Sequence, residues 1–230
     1  MPLSLGYVAF GLRPQSTPPR DRTRLVNPTQ TKSQPLYVKP TNRVNLYQER
    51  TVQCAPFSKS NGEWGIFSNF GNTPIVLDGI TFCCVEQLFQ CLKFTTPEAI
   101  IDIYGARGMT IKHKAKKWGK SGAVRRDWGS IIVDAMKFCL ALKYEQNECF
   151  REELNRSKGL FIVEDQTTMP RKSPDTWGCK PQADSFIGSN LMGRLLMELR
   201  DSEDFTYTVS TEAANTVIQI LKSNSDDKQK

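Results

Sequence analysis

Residues 83–94 constrain the fold of this chain most, because they combine an apolar stripe with a line of polar groups. The apolar side chains recur at helical spacing, as on the buried face of an amphipathic helix: Val85, Leu88, Phe89 and Leu92. A second line, at positions i, i+4 and i+7, holds Glu86, Gln90 and Lys93. The pattern predicts a short helix that packs against the rest of the fold. Its polar line is either a solvated, salt-bridged surface or the wall of a functional pocket.

The first 50 residues differ from the rest of the chain in charge and in proline content. They carry +6 of the chain's net charge of +7, so the remainder is close to neutral. Frequent prolines predict a disordered basic leader over residues 1–50. Such a leader is either a solvated tail or an arm that weakly contacts nucleic-acid phosphates. Its Arg-rich, acid-poor composition also resembles an organelle transit peptide.

The rest of the chain alternates helical patterns with a few short apolar runs. We predict a mainly α fold with a few short β strands, in a compact single domain over residues 55–203. A tail over 204–230 would hold one short, loosely attached helix, Thr211–Leu221. The predicted elements are a hairpin around Asp78-Gly79, helices at 83–94, 96–104, 110–118, 127–146, 147–154 and 189–200, a strand at 160–163, and a long loop at 165–187.

Cysteine and histidine usage argues against a metal site. The chain has 7 cysteines and 1 histidine, with no pair at CxxC spacing. A zinc site needs clustered nitrogen and sulfur ligands, so we expect no metal, and no cofactor is implied. Reduced thiols fit the cytoplasm or the nucleus. No apolar run approaches the length of ~18 residues that a membrane span requires.

Several segments occur in an order that resembles one known family. They are Phe67–Phe70 (Phe-Ser-Asn-Phe), Leu77–Gly79 (Leu-Asp-Gly), Val85–Phe94 (Val-Glu-Gln-Leu-Phe-Gln-Cys-Leu-Lys-Phe), Arg125–Trp128 (Arg-Arg-Asp-Trp), Ala141–Asn147, Asp175–Gly178 (Asp-Thr-Trp-Gly), Gly188–Asn190 (Gly-Ser-Asn) and Met192–Arg200. No single segment is diagnostic. The ordered set, over about residues 57–201, resembles the NADAR family, also called YbiA-like.

The resemblance implies a YbiA-like domain that hydrolyses N-glycosidic bonds of ribosyl groups. The leading expectation is a hydrolase that removes ADP-ribose from a guanine base of nucleic acid or of a nucleotide. The ADP-ribosylated nucleic acid or nucleotide would then be its binding partner. One alternative is an N-glycosidase acting on ribosylaminopyrimidine intermediates of riboflavin biosynthesis. A further alternative, of a different class, is a non-catalytic module that binds ADP-ribose or a nucleotide.

Breaking a ribosyl C–N bond calls for a carboxylate near the anomeric carbon, because positive charge develops on the sugar. Glu86 is the first candidate. Lys93 would bind phosphate or attack a ring-opened ribose as a Schiff-base nucleophile, and Lys143 is its rival for either role. The candidate catalytic residues are Glu86, Lys93, Asp134 and Asp175. The candidate substrate-binding residues are Asn69, Gln90, Trp128, Lys143, Trp177, Gly178, Gly188 and Asn190.

Ordinary structural roles stay open for several of these residues. The lysines are otherwise surface charges, and Trp128 and Trp177 are otherwise core residues. Asn190, which precedes a predicted helix, either caps it or lies beside free N–H groups that favour a phosphate. The segment Cys179–Ile187 lacks a glycine-rich run that is common in the family. This departure leaves fewer backbone amides free to approach a diphosphate, so it bears on the choice of substrate.

Overall fold

A computed structural model describes residues 54–183, 185–208 and 211–227, and the predicted leader lies outside this range. About half of the described residues are helical, which confirms the predicted fold class. The helices are α1 Val85–Leu92, α2 Pro97–Tyr104, α3 Met109–Lys120, α4 Trp128–Gln146, α5 Glu148–Arg156, α6 Leu191–Asp201 and α7 Thr211–Asp227. The strands are β1 Cys54–Phe57, β2 Ile75–Leu77, β3 Ile80–Phe82, β4 Phe161–Glu164, β5 Cys179–Gln182 and β6 Ser185–Gly188.

The described strands form three two-stranded sheets. Strands β2 and β3 make the predicted hairpin, and its turn residues Asp78 and Gly79 have φ angles of 49° and 80°. Strands β5 and β6 form a second antiparallel pair. Strands β1 and β4 pair in parallel, with Cys54 opposite Phe161 and Phe57 opposite Glu164. Because β1 precedes helices α1–α5 and β4 follows them, this pair brings the two ends of that helical segment together.

Helix α1 lies in the centre of the fold, in contact with α2, α3, α4 and α7. Seven of its eight residues are buried, including Glu86 and Gln87. The Gln87 amide donates to the carbonyl oxygens of Tyr104 and Ala106 at 2.8 and 2.9 Å, and its oxygen accepts from the Cys83 N–H at 2.8 Å. Because these polar groups are satisfied inside the protein, α1 tolerates burial on nearly all sides. Of its polar line, Glu86 is buried, whereas Gln90 and Lys93 are half-buried.

The structure differs from the predicted elements in three places. Helix α3 was predicted to end before Gly119, but it includes this glycine and ends at Lys120. A Cβ at Gly119 would contact only the side chains of Val124 and Lys93. The predicted loop at 165–187 contains strand β5 and most of β6, whose sequence has no alternating apolar pattern. Helix α7 is longer than predicted and is packed rather than loosely attached, since it buries five apolar side chains in the core: Ala213, Ala214, Val217, Ile218 and Leu221.

Helix α6 approaches strand β4 so closely that a side chain between them is excluded. A Cβ at Gly193 would lie 2.0 Å from the Ile162 carbonyl oxygen. Asn190, fully buried just before α6, donates from Nδ2 to the same carbonyl at 2.8 Å and accepts from the Glu164 N–H at 3.0 Å. Two side-chain hydrogen bonds therefore fix α6 against the end of β4.

None of the helices in residues 54–183, 185–208 and 211–227 combines the length and apolar character that a bilayer crossing needs.

We expect Gly193→Ala to lower the free energy of unfolding by about 1–3 kcal/mol, because the added methyl group forces α6 away from the β4 backbone. Helix propensity alone would favour alanine by about 1 kcal/mol, so the close contact decides the sign. Gly129→Ala is the matched control, since a Cβ at that helical glycine meets nothing within 4 Å. Urea denaturation measures both variants. Equal stability of the two would contradict the close approach of α6 to β4.

Candidate active site

An open cleft of about 500 Å³ lies between α1 and α3. It is lined by Gln90, Lys93, Lys112, Ala115, Lys116, Gly119, Lys120 and Val124. Three of its four lysines follow one another at i, i+4 and i+8 on α3 and therefore share one helix face. Concentrated ammonium groups in a concave surface attract anions, and phosphate groups most of all.

Glu86 lies behind two side chains of this cleft. Its carboxyl is 3% exposed, and Oε1 accepts a hydrogen bond from the Gln90 Nε2 at 2.8 Å. The Lys112 ammonium lies 3.7 Å from the same oxygen, and the Lys112 side chain is 41% exposed. Glu86 also occupies the first turn of α1, where the helix dipole favours a negative charge. A buried carboxyl group with two polar partners thus lies one side chain away from the cleft.

Glu164 is a second carboxyl of this region, and the sequence-based prediction did not include it. It ends strand β4, and its Oε2 is buried without a hydrogen-bond partner among the described residues. Burial raises the pKa of Glu164 to about 7, aided by the negative charges of Asp175 and Glu86 and opposed by the Lys112 ammonium. A carboxyl with a pKa near neutrality can donate or accept a proton at physiological pH.

Asn69 contributes a second unsatisfied oxygen next to Glu86. Its backbone carbonyl accepts the Glu86 N–H at 3.0 Å. The side-chain Nδ2 donates to the Met136 sulfur at 3.6 Å, whereas Oδ1 is buried without a partner within residues 54–183, 185–208 and 211–227. A buried amide oxygen without a donor is costly, so this oxygen is suited to accept a hydrogen bond from a ligand.

Lys143 does not reach the cleft, although the sequence made it a rival of Lys93. Its side chain is 0% exposed, and its ammonium donates to the carbonyl oxygens of Ile66 and Ser68 at 2.5 and 3.2 Å. It also lies over the Phe150 ring. Burial lowers the pKa of Lys143 to about 7. The structure therefore places Lys143 beneath the loop that carries Asn69, as a support for that loop.

Lys93, in contrast, lines the cleft. It follows α1 directly and is half-buried. Desolvation lowers the pKa of Lys93, and the negative charge of Glu86 opposes this shift. A lysine with a lowered pKa keeps more of its amine neutral, which is the nucleophilic form. Lys93 is thus the predicted lysine that the structure brings together with Glu86 and Gln90.

Trp128 and Trp177 flank one aromatic residue of α1. The ring of Phe89 lies 5.2 Å from that of Trp128 and 5.8 Å from that of Trp177, the latter at an interplanar angle of 85°. Both tryptophans are half-buried. The three rings form an aromatic cluster centred on Phe89, which is buried in the core, and neither tryptophan is among the residues that line the cleft.

The two candidate aspartates have different surroundings. Asp175 Oδ1 accepts from the Gln166 amide at 2.5 Å and from the Trp177 N–H at 2.9 Å, so it organises the loop before α6. Asp134 lies on α4, where burial raises its pKa and the charge of Lys137 and the Thr208 backbone oppose that shift. Asp175 therefore contributes charge to the site of Glu164, whereas the structure does not bring Asp134 to either glutamate.

The backbone N–H groups at the start of α6 already have hydrogen-bond acceptors within the protein. The N–H groups of residues 190–192 donate to the carbonyl oxygens of residues 176–178 at 3.0–3.3 Å. A Cβ at Gly178 would lie 2.4 Å from the Glu164 carbonyl oxygen, and one at Gly188 would lie 2.4 Å from that of Gly178. The structure gives Gly178, Gly188 and Asn190 a packing role: they hold β4, and with it Glu164, in place.

The two site residues that the sequence prediction left out carried weak signals. Glu164 directly follows the apolar run at residues 160–163, and an acidic residue after a buried strand is a common place for chemistry. Lys112 belongs to a lysine-rich helix whose spacing of four residues forms one face. Neither signal indicates that the charge of Lys112 acts on Glu164, because α3 and β4 are brought near each other only by the tertiary fold.

No group of three or more His, Cys, Asp or Glu side chains suited to a metal ion occurs within the described parts of the chain. The seven cysteines are free thiols.

The fold and the site together define a mainly helical domain in which the buried carboxyl of Glu86 lies behind a lysine-lined cleft. A family model for the NADAR domain matches residues 56–202, and the chain belongs to that family, as the sequence predicted. N-glycosidase YbiA of Shigella flexneri serotype 5b (strain 8401) is 30% identical over 147 residues, 63% of this chain and 85% of that protein. N-glycosidase Npun_R5314 of Nostoc punctiforme is 26% identical, covering 60% of this chain and 85% of its own.

A solved structure supports the same assignment. The NMR structure of the E. coli protein YbiA matches with a TM-score of 0.51 and 27% identity, over 66% of this chain and 89% of that one. The family match ends at residue 202, so helix α7 lies beyond it.

We expect the stability advantage of the wild type over Glu164→Gln to shrink as the pH rises from about 4.5 to 8. Between the unfolded pKa of about 4.3 and the folded value of about 7, the native carboxyl holds a proton that the unfolded chain releases. The contribution of the Glu164 carboxyl to the free energy of unfolding therefore falls with rising pH, by on the order of 2–3 kcal/mol.

Urea unfolding of both proteins across that pH range measures the difference. Glu148→Gln, at an exposed position of α5, is the control and should show no such dependence. A difference between wild type and Glu164→Gln that stays constant with pH would contradict the raised pKa.

Proposed function

We propose that this protein removes ADP-ribose from a guanine base of nucleic acid or of a nucleotide. At the level of enzyme class, the chain is a hydrolase of N-glycosyl bonds, since it is a NADAR family member with relatives named N-glycosidases at 30% and 26% identity. The choice of ADP-ribose and of guanine is the proposed part: the charge of the cleft supports a diphosphate ligand, and the guanine base follows from the family resemblance.

The observation that carries the proposal is the excess positive charge of the cleft next to Glu86. Of its four lysines, Lys112 forms an ion pair with Glu86. Within the described residues, no carboxylate lies within 4.0 Å of the ammonium groups of the other three, Lys93, Lys116 and Lys120. Three uncompensated charges in one concave surface favour a ligand with more than one phosphate. ADP-ribose carries two.

The buried carboxylate supplies what the reaction needs. As the C1′–N bond breaks, positive charge grows on the ribosyl ring, and a negative charge fixed in a low-dielectric site stabilises it. Gln90 and Lys112 hold the Glu86 carboxylate in one orientation, so little reorganisation is needed during the reaction. Trp128 and Trp177, which are half-buried and pack on Phe89, are the candidates for stacking on the leaving base.

Of the two lysines considered as a nucleophile or phosphate ligand, Lys93 is the one that faces the cleft. Lys143 is fully buried, and its ammonium donates to the carbonyl oxygens of residues 66 and 68, so it is the weaker candidate. Both roles for Lys93 are compatible with its position, because a lysine that binds phosphate and one that attacks a ring-opened ribose need the same access.

One observation favours the alternative substrate, a ribosylaminopyrimidine phosphate of riboflavin biosynthesis. In glycine-rich segments, backbone amides often approach a diphosphate. Here these amides already have hydrogen-bond partners, because β5 pairs with β6 and residues 190–192 donate to residues 176–178. A single phosphate bound by lysine side chains alone would suffice for that smaller substrate. The two candidates differ in the number of phosphates that the lysines must hold.

Glu86→Gln should lower kcat/KM for the true substrate by at least about 10²–10³, because the variant keeps the shape of the side chain but loses its charge. Its thermal unfolding midpoint should stay close to that of the wild type, since the Gln90 contact can persist. Glu148→Gln is again the matched control. Full activity of Glu86→Gln would exclude this carboxylate from the reaction.

Incubation with guanine-ADP-ribosylated single-stranded DNA, followed by detection of released ADP-ribose, tests the substrate. We expect release of ADP-ribose and no hydrolysis of free ribosylaminopyrimidine phosphate. The reverse pattern would establish the riboflavin-type alternative. Tight binding of ADP-ribose without hydrolysis of either compound would instead support a non-catalytic binding module.

A further inference from the structure

Helix α3 is a strongly basic element, with 5 lysines and no acidic residue among its 12 residues. We propose that its exposed face binds the sugar-phosphate backbone of a single-stranded nucleic acid, so that the enzyme acts on a modified base within a polymer rather than on a free nucleotide. This inference rests on the proposed removal of ADP-ribose from guanine and names the form in which that substrate is presented.

The lysines of α3 have acidic partners only where the helix packs against the protein. The half-buried Lys112 lies 3.7 Å from Glu86 of α1, and the half-buried Lys114 lies 2.7 Å from Asp102 of α2. The other three lysines are exposed and, among the described residues, have no carboxylate within 4.0 Å: Lys116, Lys117 and Lys120. The unpaired charges are thus concentrated on the solvent side of α3.

An ordinary solvated helix face is charged differently. Opposite charges four residues apart stabilise a helix by about 0.2–0.5 kcal/mol, and like charges at this spacing destabilise it by a similar amount. In α3 the same spacing joins Lys112 to Lys116 and Lys116 to Lys120. The helix dipole favours Lys117 and Lys120 in the last turn, but it does not act on the lysines before that turn. The helix therefore carries a repulsion that a bound polyanion would relieve.

The exposed cations extend beyond the cleft. Lys116 and Lys120 line it, whereas Lys117 lies about 100° further around the helix axis and is not a lining residue. Arg126 follows two residues after Val124, which lines the cleft, and it is exposed. No carboxylate in the described part of the chain lies within 4.0 Å of the Arg126 guanidinium. We call these four cations the α3 basic surface.

The length of this surface fits a polymer better than a diphosphate. From Lys112 to Lys120 the helix rises about 12 Å. The two phosphates of ADP-ribose are adjacent, so they occupy one part of this line. A nucleic-acid strand carries one phosphate at every nucleotide and can therefore neutralise charges that are spread along a helix. A single strand is the expected form, because a base that reacts must leave the stack and does so at the lowest cost from a single strand.

The first measurement is binding of an unmodified, fluorescein-labelled single-stranded DNA oligonucleotide to the full chain, by fluorescence anisotropy over a range of salt concentrations. In Lys117→Gln/Arg126→Gln, Kd should rise by about 5–30-fold at low salt. The slope of log Kd against log salt should fall by about 1.4, since each contact with a single-strand phosphate contributes about 0.7. RNA of the same sequence should show the same loss, because both polymers present the same phosphates.

A charge-matched variant is the control for this measurement. Lys59→Gln/Lys158→Gln removes two positive charges from exposed positions outside α3 and the cleft, and it should bind like the wild type. All of these proteins keep the basic residues 1–50, so any contribution of that segment cancels in the comparison. The thermal unfolding midpoints should agree, since the substituted side chains are exposed.

The second measurement compares two substrates that share the reacting group. One is a single-stranded oligonucleotide with an ADP-ribosylated guanine, and the other is ADP-ribosylated guanosine monophosphate. In Lys117→Gln/Arg126→Gln, KM for the oligonucleotide should rise about tenfold with kcat within about twofold, because the lost contacts stabilise the ground state and the transition state equally. KM for the mononucleotide should stay at the wild-type value.

The outcomes separate this inference from the function on which it rests. Unchanged binding of the oligonucleotides by Lys117→Gln/Arg126→Gln, or a loss confined to one polymer, would overturn recognition of the backbone by α3. An equal rise in KM for both substrates would assign these two residues to the ADP-ribose site instead. Tighter binding of the wild type to duplex than to single-stranded DNA would overturn the choice of a single strand. If the wild type hydrolyses neither substrate, the proposed function fails, and the anisotropy measurement decides on the surface by itself.

Discussion

The contact between Asn190 and the backbone of β4 is the interaction on which the site depends. The buried side chain binds both the Ile162 carbonyl and the Glu164 N–H, and it does so from a backbone position with φ 47° and ψ 41°. The amide thus replaces a strand partner at the end of β4 and fixes the start of α6 at the same time. Backbone hydrogen bonds from residues 190–192 to residues 176–178 add to this contact and attach the loop that carries Trp177 to the start of α6.

Local pattern was enough to predict most of the helices and the family. The bounds of α2 follow from Thr96-Pro97 and Gly105, and the hairpin turn follows from Asp78-Gly79, because these signals act within a few residues. The pairing of β1 with β4 was not predictable in this way, since it joins segments about a hundred residues apart. The same holds for α7, whose moderate apolar stripe does not reveal that it completes the core.

The site residues divide in the same way, into those with a local sequence signal and those that only tertiary packing reveals. Glu86, Gln90 and Lys93 were identified because they share one short helix, and the structure keeps them beside one cleft. Lys143 was a plausible partner from its position in the resemblance, but a sequence does not show that its ammonium is closed beneath residues 66–68. Glu164 and Lys112 were missed for the opposite reason: each has an ordinary local context, and their importance arises from charges that tertiary packing brings near them.

The position of α7 has a practical consequence for work on this family member. The helix lies beyond the family match, yet it covers apolar surface of α2, α1 and β3 and is tied to the hairpin turn by the ion pair between Lys222 and Asp78. An expression product cut at the family boundary would expose that surface to water, at a cost of about 25 cal/mol per Å² of apolar area. The smallest soluble unit for crystallisation or assay is therefore set by the end of α7 and not by the edge of the family domain.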